Sequence, residues 1–192
     1  MTNLNKGKFF FFNKKSDLII NPGTLEHAYL AVLNDDLESA KLIFSKIDSP
    51  RAKWGWSFVE ILQGFMTESP TYFGIRNFLE IDLDFLLKNE KINYVEQCLG
   101  ALDILSLINQ ETYKFVSRVM LENKFYTSAL KYMDKAKQIY YNDPELHFIY
   151  AKYYMHINKY SEANFYINEC LNLLPGYYPA LLIKQKIEEF GF

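Results

Sequence analysis

The sequence predicts an all-α fold, a stack of antiparallel helix hairpins, on three observations. Beyond residue 23, apolar residues recur at three- and four-residue spacing and no alternating strand pattern appears. Only two or three residues separate most of the helical stretches, and turns that short place consecutive helices antiparallel. Small side chains return at matching places in successive stretches, where they let one helix approach the next.

Residues 1–23 stand apart. Phe9–Phe12, the polar Asn13–Ser16 and Leu18–Ile20 read as two short β-prone runs around a turn, ended by Pro22-Gly23. This is a hairpin or an extended arm. Helices follow from Thr24, a candidate N-cap. The first carries Leu25, Ala28, Tyr29, Val32 and Leu33 and breaks at Asn34-Asp35-Asp36. The second carries Leu37, Ala40, Leu42, Ile43, Phe44 and Ile47 and stops at Asp48-Ser49-Pro50. A third spans about 53–67. Ser69 and Pro70, as N-cap and first helical residue, open a fourth that reaches Lys88 and is apolar on nearly every side, so that neighbours must cover several faces. Further helices are expected at about 91–107, 110–122, 125–140, 144–157, 160–173 and 177–190. Asn142-Asp143-Pro144 caps one of them, and Pro175-Gly176 closes another.

With Pro144 as first position, Ala151, Tyr154, Ala163, Ile167, Cys170 and Pro175 fall in the order of a repeat of about 34 residues with the pattern W-x2-L-G-x2-Y, A-x3-F, P. His147 and Tyr150 replace the usual Trp and Leu. One period earlier Ser117, Ala129, Met133 and Ala136 hold the corresponding places, and before them Leu83, Val95, Leu99 and Leu102. Ala28, Ala40 and Phe44 fit the same frame. The sequence therefore resembles a tetratricopeptide repeat, most closely over 144–177, with 177–190 as a capping helix and 53–67 as a helix in excess. The resemblance implies an α-solenoid over 24–192.

Composition narrows the function. Net charge is −2, made of about +3 in residues 1–22 and −5 beyond, without a clustered basic face, which argues against nucleic acid. No apolar run approaches a membrane span, Cys98 and Cys170 read as buried reduced thiols, and a cytoplasmic protein is expected. The three histidines form no HExxH or H-x-x-x-H spacing, and no phosphate loop or nucleophile elbow occurs, so neither cofactor nor metal nor catalysis is expected. The high aromatic content, 17%, fills a helical core or leaves a sticky surface.

Two clusters remain. Arg76, Glu80 and Asp84, spaced by four, share one helix face and are read as a solvated stripe or a binding or acid/base site. The resemblance implies a second set, because the first helix of each tetratricopeptide hairpin lines a concave groove. Its groove positions map to Asn77, Glu80, Asp84 and Lys88, to Glu111, Lys114, Arg118 and Glu122, and to Glu145, Phe148, Lys152 and His156. Lys114, Arg118 and Lys152 would then form a basic spot beside Phe148, suited to a protein or peptide carrying an acidic or carboxylate group. The Lys and Asn set with which some members grip a C-terminal carboxylate is not reproduced. The expected function is a non-catalytic protein-interaction module. The alternatives are a self-associating structural protein using the N-terminal arm, or a small-molecule-binding or enzymatic domain using the Arg76 stripe.

Overall fold

A computed structural model describes residues 21–189 and 191. The expected arm or hairpin therefore lies outside the described residues, apart from the turn at Asn21–Gly23, where Gly23 takes a positive φ of 78°. Among the described residues every regular element is helical: α1 (Leu25–Leu33), α2 (Leu37–Ser45), α3 (Pro50–Leu62), α4 (Tyr72–Asn77), a π segment (Phe78–Asp82), α5 (Leu83–Lys88), α6 (Ile92–Gly100), α7 (Leu102–Ile108), α8 (Thr112–Glu122), α9 (Tyr126–Ile139), α10 (Pro144–His156), α11 (Tyr160–Leu173) and α12 (Tyr178–Glu189). None of these helices is long and apolar enough to cross a membrane.

Four of the turns share one geometry. Asp35, Glu90, Lys124 and Asn158 all sit in the left-handed region, with φ between 57° and 66°, and the last three are spaced 34 residues apart. Each closes its helix with the same two backbone bonds. The left-handed residue donates to a carbonyl three back (Asp35 to Val32, Glu90 to Leu87, Lys124 to Leu121, Asn158 to Met155). The next residue donates to a carbonyl five back (Asp36 to Ala31, Lys91 to Leu86, Phe125 to Met120, Lys159 to Tyr154). This is the Schellman closure, which satisfies carbonyls the helix end would otherwise orphan. Left-handed backbone costs an L-residue roughly 1–2 kcal/mol, so the hydrogen bonds and the packing behind them must outweigh that strain four times over.

Burial keeps the same register. Seven residues before each left-handed position stand Ala28, Leu83, Ser117 and Ala151, and five after stand Ala40, Val95, Ala129 and Ala163, every one of them buried. These are the places where the helices of a pair meet: α1 packs on α2, α5 on α6, α8 on α9 and α10 on α11. Most of the buried apolar residues from α1 to α10 form one continuous core. Ala151, Ala163, Ile167, Cys170, Ala180 and Ile187 form a second, smaller one, and Tyr154 and Tyr166 pack against both.

Several expected boundaries move. Ser49-Pro50 does not only end α2 but opens α3: the Ser49 hydroxyl accepts from the Ala52 N–H and Pro50 is the first helical residue. That helix ends at Leu62 rather than Thr67. Gly64 turns the chain with a φ of 84°, and the buried Glu60 carboxylate accepts hydrogen bonds from the Thr67 N–H and hydroxyl, holding the following loop. The next helix is capped by Thr71, whose hydroxyl accepts from the Gly74 N–H, and not by Ser69. The stretch expected as one helix over 91–107 divides at Gly100-Ala101 into α6 and α7, where glycine has the weakest helical preference short of proline.

Candidate functional site: a charged face across the first helices

The candidate face is built from the first helix of each of the last three pairs. α8 packs against α4, α5 and the π segment on one side and against α10 on the other, so side chains on these rods reach each other across the seams. The Glu80 carboxylate accepts from Arg76 Nε at 3.1 Å and from Arg118 Nη1 at 2.6 Å. The Arg118 guanidinium also pairs with Glu145. Asn123 donates to Asp84 Oδ1 at 2.8 Å, and Lys152 lies 3.7 Å from Glu122. The groove positions Glu80, Asp84, Glu111, Lys114, Arg118, Glu122, Glu145 and Lys152 thus make polar contacts across hairpins.

The basic spot is corrected. Lys114 is almost completely buried, its ammonium held by Glu111, by Asp143 at 2.6 Å and by Glu145 at 3.1 Å. An ammonium so enclosed does not present a free cation to a ligand. Burial alone would depress its pKa, but hydrogen bonds to Asp143 and Glu111 dominate and hold it well above the ordinary lysine value. Burial pushes the Glu111 carboxyl up; hydrogen bonds from Lys114 and from the Tyr72 hydroxyl outweigh it and leave Glu111 below its usual range. Asp143 does double work, because its other oxygen caps α10 by accepting from the N–H groups of Glu145 and Leu146. The result is a compensated ladder of alternating charge.

The Arg76–Glu80–Asp84 cluster divides as well. Arg76 and Glu80 pair, and Arg76 lies over the Phe115 ring at 5.5 Å, but Asp84 bonds Lys88 at 2.5 Å and Asn123 instead. Arg76 and Asp84 are eight residues apart, roughly 12 Å along a helix axis, so each takes the partner within its own reach. At the other end of the face the surface becomes aromatic. Phe148 meets Tyr177 edge-on at 5.2 Å, with Lys152 Nζ 6.0 Å above the Phe148 ring. His156 is exposed and tilted against Tyr126 at 5.8 Å.

Sequence reasoning missed two buried carboxylates that bind α3 into the molecule. Asp82, in the π segment, is fully buried and accepts from the Tyr29 hydroxyl at 2.8 Å and from the Arg51 guanidinium, which itself lies over the Tyr29 ring at 5.1 Å. Glu60 is equally buried and pairs with Lys41 at 2.8 Å. For Asp82 the legible signal was an acidic residue on a rod apolar on nearly every side, which requires a partner; no such signal marked Glu60. Also unforeseen is a cavity of about 640 Å3 between the end of α2, the start of α3 and the loop before α4, walled by Ile47, Trp54, Trp56 and Pro70. Among the described residues no group of three His, Cys, Asp or Glu side chains is disposed to hold a metal ion. No family model matches the chain, and no curated protein or solved structure matches it either.

Proposed function

We propose that this chain is a tetratricopeptide-like solenoid of helix hairpins that holds another protein or peptide along the face formed by its first helices. The observation that carries this reading is the contact of first helices across successive hairpins, through Glu80, Arg118, Glu145, Glu122 and Lys152. Rods that merely paired within hairpins would not place those positions together. The recurring Schellman turns, 34 residues apart in the last three pairs, support the same architecture. The partner is an extended segment. Its backbone and mixed polar groups exchange hydrogen bonds with the half-exposed members of the ladder, Arg76, Glu111 and Glu145, and an apolar side chain packs beside Phe148 and Tyr177. Because Lys114 is already saturated by carboxylates, an acidic group on that segment pairs with Lys152.

A displayed library of random peptides, selected on the intact chain, tests this. Selected peptides are expected to lose at least about tenfold in affinity with Phe148→Ala or with Lys152→Glu, and little with Lys53→Glu on the exposed side of α3. Peptides indifferent to both groove variants would overturn the reading.

A further inference from the structure

His147 is the one histidine among the described residues that is almost wholly buried, 1% exposed, and neither ring nitrogen makes a well-formed hydrogen bond. It lies on α10 in an aromatic box, edge-on to Tyr141 at 4.9 Å and tilted against Tyr166 of α11 at 6.0 Å. The charged and titratable groups around it are Lys137 from α9, Tyr141 and Asp143 from the α9–α10 connection, and Tyr166 and Glu169 from α11. Tyr166 also stacks on Tyr150 at 4.6 Å and on Tyr154 at 5.4 Å. His147 therefore sits at the junction of the two cores. Behind that junction α11 and α12 are held by the small second core, built largely of alanine, isoleucine and cysteine. Small, separately packed units are those that open below the global unfolding free energy.

We propose that His147 is an acid-sensitive latch, and that its protonation releases α11 and α12 from α10 while the main core stays closed. The chemistry is the addition of one proton to a ring whose neutral form packs against tyrosine faces and whose charged form lacks a saturating partner. Opening hydrates the imidazolium and relieves it of burial. Burial is the leading influence on the group and lowers its pKa, against smaller opposing effects from Glu169, Asp143 and the Tyr141 carbonyl. The sign follows. A basic group whose folded pKa lies below its unfolded value leaves stability intact above the ordinary imidazole range and lost as pH falls through it. The inference is independent of the peptide-binding reading.

Hydrogen exchange of the intact chain, corrected for the intrinsic pH dependence of amide chemistry, tests it. As pH falls below about 6.5, opening of α11 and α12 should increase by up to about tenfold per pH unit, until the folded imidazole itself titrates. α1–α3 should not change, and His147→Phe, which keeps a ring and removes the proton site, should abolish the increase. Acid acceleration that persists in His147→Phe, or that is equal in α1–α3, overturns the latch. Where that variant does not fold, NMR titration of His147 in the natural chain decides alone. A pKa below the ordinary value supports the latch, and one at or above it overturns it.

Discussion

The two ends of the molecule solve the same packing problem with different side chains. In α8–α11 the rods approach through Ser117, Ala129, Ala151 and Ala163, and each pair follows its predecessor at a fixed interval. Between α1 and α6 an additional helix, α3, is wedged in and a π segment interrupts the rod that follows. There the fit comes from aromatic rings and from two buried carboxylates, with Asp82 joining α1, α3 and the π segment, and Glu60 joining α2, α3 and the loop after it. The turns of the first and last pairs are nevertheless closed by the same two hydrogen bonds. The difference shows that the turn is a local device which survives irregular surroundings, whereas the seam between pairs is not. At the α2–α3 seam Gly55 lies against the Phe44 ring, and the fixed charges on Glu60 and Asp82 add to that close approach in specifying which rod lies beside which.

That contrast can be broken most forcefully at Arg51. Arg51→Met leaves Asp82 buried without its cation and is expected to cost about 3–5 kcal/mol, read as a shift in the urea unfolding midpoint. The double variant Arg51→Met with Asp82→Asn, which still accepts from Tyr29, should recover most of the loss. If the single variant is neutral, charge does not fix α3. At the regular end the corresponding experiment is steric. Ala163→Leu forces an added isopropyl group into the α10–α11 contact and should cost about 1–3 kcal/mol, with protection lost first in α11 and α12 by hydrogen exchange. An unchanged unfolding curve would mean that the small residue is not what sets the approach. The smallest effect tests what the ends share. Lys124→Gly relieves a left-handed backbone and should raise stability by up to about 1 kcal/mol, visible as a higher melting temperature, and Glu90→Gly should behave alike despite its irregular neighbours. A loss at either site would show that the turns are not equivalent.

Much of this was legible in the chain, for identifiable reasons. Asp143-Pro144 and Thr24 act locally, through a side-chain oxygen and the N–H groups one turn on, and they cap the helices expected of them. Ser49-Pro50 was read as a stop although it is also a start, because the same dipeptide serves both roles and only the distance to the next apolar face separates them. The small residues at Ala129, Ala151 and Ala163 were found by spacing, and they are buried where helices meet. At the candidate site the resemblance implied that Glu80, Arg118, Glu145 and Lys152 share one face, and they do meet across the first helices, but it could not foresee that Asp143, from a turn, would saturate Lys114, or that Asp84 would bond Asn123.

By itself the sequence determined that the described chain from residue 24 is helical, where many helices begin and end, and many of the apolar positions that turn inward, because these follow from periodicity and capping within a few residues. Only the tertiary structure decided that α3 is held by Arg51, Asp82 and Glu60, that the expected basic spot is a neutralised ladder, and that His147 is sealed among tyrosines. Those outcomes depend on which charges and rings meet across residues far apart in the chain, and the strength of an electrostatic contact is set by the burial that only packing creates.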